Sequence, residues 1–239
     1  MPHRFFNFDE ASGYLHIEKR DLETLVKRSE IPFTRQGDRI LFQKRQLDGW
    51  ASQRILGMSG KRLTDYHRTS SQKHHDLSPK HALIPELITI GRIAPAMHSR
   101  TKPSVLKDIV AIAEKTELLY DPTDLLAALR EREEMYPTAL DGGMALLHPR
   151  HHEAYMFMDS FLVLGKTTQP IPAGAPDGKP TDLFFLVCCQ DDRTHLHTLA
   201  RICAMAHGTA MLSDLRASTT AETMYEVLAR AEEDVIRML

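Results

Sequence analysis

The sequence predicts an α/β protein: a mixed β-sheet flanked by helices, preceded by a small unit of helix, turn, helix and two-stranded hairpin. Three observations carry this. From Leu83 onward, strand-length apolar runs alternate with helical patterns, which gives a layered α/β domain. The run Leu183-Phe184-Phe185-Leu186-Val187-Cys188-Cys189 is continuously apolar, as a central strand buried on both faces must be. Residues 8–54 hold two short helical patterns, a hairpin signal and a third helix in close succession. The chain divides into an N-terminal unit (1–58), a linker (59–82) and a larger domain (83–239).

The charge pattern supports that division. Residues 1–62 hold 12 Lys or Arg and 8 Asp or Glu, a balance of +4; residues 83–239 hold 15 and 22, a balance of −7. Opposite signs suggest different partners, and a modestly basic small unit is compatible with nucleic acid. The chain is 42% hydrophobic and 26% charged, values of an ordinary soluble protein. No stretch nears the ~20 apolar residues of a membrane span, and the N-terminus lacks a signal peptide's apolar core, so a cytoplasmic location is expected. Cys188, Cys189 and Cys203 give no disulfide framework or metal spacing; apolar neighbours make them buried, inert thiols.

In the N-terminal unit, Phe8 to Leu15 predicts a short helix with Asp9 as N-cap, and Gly13 keeps it short. His16-Ile17 turns the chain. Glu18 to Arg28 places Leu22, Leu25 and Val26 on one helical face, and Pro32 follows its end. Phe33-Thr34-Arg35 and Arg39-Ile40-Leu41-Phe42 flank a Gln36-Gly37-Asp38 turn, and Lys44 to Arg54 forms the third helix, with Leu47 and Trp50. The pattern Glu10-Ala11, Tyr14-Leu15, Ile17, Leu25-Val26, Glu30-Ile31-Pro32, Arg35, Gly37, Arg39, Leu47 and Trp50 resembles the excisionase/MerR-type winged helix-turn-helix family. That resemblance implies DNA as a partner, with Lys19, Arg20, Lys27 and Arg28 on the recognition helix and Arg35 and Arg39 on the wing. Glu18, Asp21 and Glu23 share the helix and repel phosphate, so a protein-binding module with a solvated charged face is the alternative.

Gly57 to His81 is polar, without periodicity, and expected to be exposed; its histidines, His67, His74, His75 and His81, lack ligand spacing. In the larger domain, Leu83 to Ile88 reads as a strand. Ser104 caps a helix from Val105 to Lys115, and Asp121-Pro122-Thr123 caps the next, Asp124 to Glu134. Ala154 to Met158 and Ser160 to Leu164 read as strands, and Thr167 to Lys179 as a Pro- and Gly-rich loop. Asp191 to Thr194 starts a helix from His195 to His207. Leu212 to Leu215 and Thr220 to Arg237 are further helical patterns.

The chemistry concentrates in Arg130 to His152, where a charged helix end leads through a Gly-Gly turn and an apolar run to His148. A neutral imidazole is nucleophilic near neutral pH. His148, His151 and His152 could also read as a metal cluster, but no Asp or Cys ligand pattern accompanies them. Arg132-Glu133, Thr138-Ala139, Asp141-Gly142-Gly143-Met144-Ala145-Leu146-Leu147-His148, the segment from Ile171 to Val187, and Thr194-His195-Leu196-His197 occur in that order. With them, residues 83–239 resemble the IIA domains of the bacterial phosphoenolpyruvate:sugar phosphotransferase system, in the fructose/mannitol/nitrogen-regulatory branch. In this sequence Leu147 precedes His148 where the family usually has proline, and Pro149 follows it.

The resemblance implies a phosphotransferase component with a phosphohistidine intermediate. His148 is the acceptor, with Arg132, Thr138 and His195 stabilising the phosphoryl group; no cofactor or metal is implied. Gly142 and Gly143 would turn the backbone near the reacting atom, Asp141 would put a carboxylate there, and the helix start at His195 would offer free amides. An HPr-type phosphocarrier or a nitrogen-branch paralogue is the implied donor. The protein would act as a regulator through its helix-turn-helix unit, on DNA or a regulatory target protein; a homodimer fits a small winged unit. Two alternatives stand: a sugar-specific component passing phosphate to a separate IIB domain, or a non-phosphorylated DNA-binding regulator.

Overall fold

A computed structural model describes residues 5–58, 60, 62–63, 65–66, 81–149 and 156–238. The N-terminal unit comprises β1 (Phe5–Phe6), α1 (Phe8–Leu15), α2 (Lys19–Lys27), β2 (Thr34–Gln36), β3 (Arg39–Gln43) and α3 (Lys44–Leu56). Asn7, not Asp9, caps α1: its side chain accepts from Glu10 N while Glu10 returns a bond to Asn7 N. His16 takes a left-handed conformation (φ 52°) to turn the chain between α1 and α2. Gly37, at φ +60°, turns β2 into β3, whose antiparallel register pairs Arg35 with Ile40. β1 adds to the outer edge of β3, an element too short to leave a pattern in the sequence. Ala11, Leu15, Leu22, Leu25, Val26, Phe42, Leu47, Ala51 and Ile55 form the unit's core. Leu63 is buried too, so that part of the expected linker is packed.

The larger domain is a five-stranded mixed sheet in the order β4-β7-β8-β6-β5, with β4 (Ile93–Met97), β5 (Ala139–Leu140), β6 (Met144–Leu147), β7 (Phe161–Ile171) and β8 (Thr181–Cys188). Leu83 to Ile88 is not a strand: Ile84–Leu87 forms the short helix α4, led by Pro85. Next in the chain come α5 (Lys102–Glu114) and α6 (Pro122–Met135); α7 (Asp192–Gly208), α8 (Met211–Ala217) and α9 (Ala221–Met238) follow the sheet. Thr101, not Ser104, caps α5; the helix starts one turn earlier than expected, and Ser104 completes the capping box from the third helical position. Asp121 caps α6 as the sequence indicates. β7 runs through Ile171, so the loop begins later than its Pro and Gly content suggests. Residues 156–158 are not a strand; Phe157 makes only an isolated bridge to Leu119, and residues 154 and 155 lie outside the described residues.

Strand periodicity sorts side chains onto the sheet's two faces. Leu146, Leu162, Leu164, Leu183, Phe185 and Val187 join one core with Leu196 and Leu199 of α7 and Leu228 of α9. Ala145, Leu147, Phe161, Val163, Phe184, Leu186 and Cys188 join the other, with Val105 and Ile109 of α5 and Leu125 and Leu129 of α6. β8 lies at the centre, covered on both faces. The N-terminal core is continuous with the α7 face of the sheet. On that side a buried ion pair, Arg201 to Glu232 at 2.8 Å, anchors the domain's entry: Glu232 also accepts from Leu83 N and Ile84 N, each at 2.9 Å. Burial lowers the Arg201 pKa and raises that of Glu232. No helix among the described residues is long and apolar enough to cross a membrane.

Candidate phosphoryl-acceptor site

β6 and β8 are parallel, with Leu147 opposite Leu186, so both chains leave the sheet at the same end. His148 follows β6 directly; β8 continues through Cys189 into α7, which carries His195. Two histidines far apart in sequence thereby meet at the carboxyl ends of neighbouring parallel strands, where open α/β sheets place ligand sites. Strand parity puts His148 on the same side as Leu146, the α7 side. The two rings lie 5.0 Å apart between centroids, tilted by 54°. Each residue is only 2% exposed.

Hydrogen bonding defines the His148 tautomer. Its Nδ1 lies 2.8 Å from the Leu146 carbonyl, which only accepts, so Nδ1 carries the proton. Nε2 therefore presents its lone pair, and Arg132 Nε donates to it at 3.2 Å. Arg132 occupies the same face of α6 as Leu125 and Leu129, seven and three residues earlier, which brings its side chain inward. Its Nη1 donates to the Tyr136 carbonyl at 2.7 Å, just past the helix end. This bond fixes the direction of the guanidinium.

Thr138 is fully buried beside this group, and its carbonyl accepts from Leu146 N at 3.1 Å. Its hydroxyl donates to Glu133 Oε1, which also takes Thr138 N at 3.0 Å; Glu133 in turn pairs with Lys102 at 2.8 Å. A bond from this hydroxyl to phosphate requires it to leave Glu133. Sequence reading paired Glu133 with Arg132 but gave no role to either Glu133 or Lys102, because Lys102 lies 31 positions away on another helix.

Two expectations about the site's surroundings need correction. The Gly142-Gly143 turn (φ +85° and +80°) joins β5 to β6 at the opposite end of the strand from His148, roughly 16 Å away along an extended chain. Asp141 is exposed in that turn and does not place a carboxylate at the histidines. The first-turn amides of α7 are not open for an anion either. Asp191 caps the helix by accepting from Arg193 N and Thr194 N, and His195 N donates to the Asp191 carbonyl at 3.1 Å. His195 thus contributes its ring rather than a helix terminus.

The structure adds a neighbour that sequence reading did not indicate. Helix α3 of the N-terminal unit lies against α7, with Ser52 Oγ 3.5 Å from His195 Nε2 and Lys44 Nζ paired to Asp192. Asp48 accepts a hydrogen bond from Tyr14 and lies 3.6 Å from Lys44 Nζ. Burial, then repulsion from Asp192, pushes the Asp48 carboxyl up to about 6. Burial pulls the Lys44 ammonium down, but its bonds to Asp192 and the charge of Asp48 outweigh this, and its pKa is raised.

The remaining predicted residues lie apart from the histidines. Lys19, Arg20, Lys27, Arg28, Arg35 and Arg39 are all exposed on α2 and the hairpin; Lys19 pairs with Asp9 at 2.8 Å. A histidine two residues from His195 on a helix points away from that ring and would be expected at the surface; His197 is buried instead. His151 and His152 lie outside the described residues, as do His67, His74 and His75. No group of three or more potential metal ligands occurs among the described residues. All three cysteines are buried; desolvation pushes Cys189 and Cys203 up to about 12, so neither is a reactive thiolate.

Comparison with known proteins bears on the fold and family of the larger domain. The nitrogen regulatory protein of Escherichia coli (strain K12) is 30% identical over 141 residues, 57% of this chain and 83% of that protein. Its counterpart in Bradyrhizobium diazoefficiens is 30% identical over 149 residues, 61% of this chain and 94% of the relative. The crystal structure of nitrogen regulatory protein IIA-Ntr from Neisseria meningitidis shares the fold with a TM-score of 0.56 at 24% identity, covering 62% of this chain and 99% of that one. The model of the phosphoenolpyruvate-dependent sugar phosphotransferase system EIIA 2 family matches residues 86–231, leaving the N-terminal unit outside the match. With more than half its length matched, the chain belongs to the EIIA 2 family of the phosphoenolpyruvate-dependent sugar phosphotransferase system.

Proposed function

We propose that this protein is a regulatory IIA-type phosphotransfer protein that accepts a phosphoryl group on Nε2 of His148 from an HPr-type phosphocarrier. The observation that carries the reading is the His148 tautomer: Nδ1–H is held by the Leu146 carbonyl, and the Nε2 lone pair is aimed beside the Arg132 guanidinium. In the transfer, that lone pair forms a bond to phosphorus as the bond to the carrier breaks, and the carrier's leaving atom keeps the electron pair. Nδ1 retains its proton throughout. The positive charge that develops on the ring is stabilised by the Leu146 carbonyl dipole.

Phosphoryl transfer asks a protein mainly for positioning and charge stabilisation. Arg132 supplies a permanent charge with several donors for phosphoryl oxygens. His195 supplies a second imidazole within reach, and Thr138 a hydroxyl exchanged from Glu133. The nitrogen-regulatory branch is favoured because the relatives above carry that name. Incubation with phosphoenolpyruvate, enzyme I and HPr tests the reading: wild type forms phosphohistidine, and His148→Ala forms none. Equal labelling of the two removes the assignment.

For the N-terminal unit we propose winged helix-turn-helix DNA binding through Lys19, Arg20, Lys27, Arg28, Arg35 and Arg39. Its support is the order of elements and the exposure of all six side chains. Binding that weakens with salt and with Arg20→Ala would agree; salt-independent binding, or none, would leave a protein-interaction module. Burial of both histidines favours a second reading of the whole chain, a regulator that is not phosphorylated. The labelling assay separates the two.

A further inference from the structure

Helix α3 is buried on two sides. Leu47, Ala51 and Ile55 face the core of its own unit. Lys44, Asp48 and Ser52 recur every fourth residue, so they form one stripe along the helix. Asp48 and Ser52 are buried and Lys44 is half-buried, and the stripe meets Asp192 and His195, three residues apart on α7. A stripe of lysine, aspartate and serine is an unusual choice for a permanent core contact, where apolar residues pack with less desolvation cost. It is the charged strip of a contact whose apolar part is continuous with the N-terminal core, and it is the part on which an added charge acts.

We infer that the α7 face around His195 is a docking surface for α3 of the same chain, and that α3 and the phosphocarrier compete for it. The inference rests on the reading of His148 as phosphoryl acceptor. With α3 docked, Ser52 stands against His195, and both histidines are closed to an incoming protein. A phosphoryl group on His148 adds charge of roughly −2 beside a contact in which Asp48 and Asp192 already repel each other. Docking thus slows phosphorylation, and phosphorylation undocks α3. By linkage, docking disfavours the phosphorylated state by the same free energy by which phosphorylation disfavours docking. Phosphorylation thereby shifts the population of the N-terminal unit toward the released state.

The test uses the full chain with phosphoenolpyruvate, enzyme I and HPr. Lys44→Glu replaces the bridging cation with a third carboxylate without touching either histidine. It is expected to raise the rate of phosphohistidine formation about tenfold, the effect of weakening the docked state by about 1.4 kcal/mol. In wild type, amide hydrogen exchange across residues 44–56 is expected to rise on phosphorylation and to stay unchanged in His148→Ala under the same conditions. The wild-type exchange measurement needs no variant and is decisive if Lys44→Glu fails to fold. Label on His148 with unchanged exchange overturns the docking inference and leaves the acceptor assignment standing. No label in wild type or Lys44→Glu overturns the acceptor reading, and this inference with it.

Discussion

The two ends of strand β6 are each held by an arginine, and the two arginines do different work. At the start, Arg216 of α8 donates to both carboxylate oxygens of Asp182 and to the Gly142 carbonyl at 2.6 Å. Asp177 accepts from Gly142 N at 3.3 Å. Everything around that turn is a fixed donor with a fixed acceptor, and the arrangement is a clamp. At the far end, Arg132 donates to a carbonyl and to the lone pair of an imidazole. The clamp sets the register of the strand; the second arginine meets an atom that can form a new bond. A short sequence motif therefore spans two separate requirements: Gly142 and Gly143 serve the turn, and His148 serves the chemistry.

This contrast can be broken most forcefully at the histidine end. Arg132→Ala should slow phosphorylation of His148 by roughly 10²–10³-fold, the effect of removing one preorganised donor from developing charge. Thermal stability should change less than activity. Single-turnover labelling and a melting curve on the same sample separate the two.

The cover over that end should respond to pH. Asp48 is flanked by Tyr14, Lys44 and Asp192, and its carboxyl is pushed up to about 6, mainly by burial and then by Asp192. Its value in the packed state lies above the ordinary 3.8, so the packed state binds the proton more tightly. That contribution is fully present below about pH 4 and is lost as pH rises through about 6. Relative to the unfolded chain the loss is on the order of 2–3 kcal/mol, and only the part due to Asp192 and to burial against α7 belongs to the cover itself. Exchange rates of the 44–56 amides, corrected for intrinsic pH dependence, should rise across that window, and Asp48→Asn should flatten the change.

The turn end should fail in the opposite way. Gly143 has φ +80°, and a Cβ there would lie 2.7 Å from Arg216 Nη2 and 3.2 Å from the Pro180 carbonyl. Gly143→Ala should cost about 1–3 kcal/mol in stability from backbone strain, plus whatever displacing Arg216 adds. The labelling rate of the folded fraction should stay near that of wild type. The smallest effect belongs to Asp141→Asn. An exposed residue at this end should shift stability by no more than about 0.5 kcal/mol and leave labelling unchanged. A large loss of labelling would place the turn at the reacting atom after all.

Periodicity and turn chemistry revealed some of the fold and missed other parts for physical reasons. The continuous apolar run at Leu183–Cys189 marked the sheet's centre because both its faces are covered. The hairpin around Gly37 was visible because its turn needs a positive φ. β4 was not: Ile93 to Met97 contains Pro95, which a sequence reading rejects for a strand and an edge strand tolerates. The far half of β7 was hidden in the same way by Gly165 and Pro170. Leu83, Ile84, Leu87 and Ile88 are buried and Glu86 is exposed, but the helix Ile84–Leu87 is a single turn, too short for its period to stand out from that of a strand.

The site divides along similar lines. Resemblance singled out Arg132, His148 and His195, and the topology brings these three together. It could not reveal that Asp191 closes the α7 amides, or that the Gly-Gly turn lies a strand's length away. The contact of α3 was least visible. Lys44, Asp48 and Ser52 look like the solvated face of a helix, and only the fold shows that Asp192 and His195 lie opposite.

The central claim is that Nε2 of His148 is the atom that takes the phosphoryl group. Nitrogen-15 NMR of selectively labelled histidine, before and after reaction with phosphoenolpyruvate, enzyme I and HPr, tests it directly. The expected result is a neutral His148 protonated on Nδ1 beforehand, and afterwards a phosphoramidate on Nε2 with the Nδ1 proton retained. A phosphoryl group on Nδ1, or on any histidine other than His148, would contradict it.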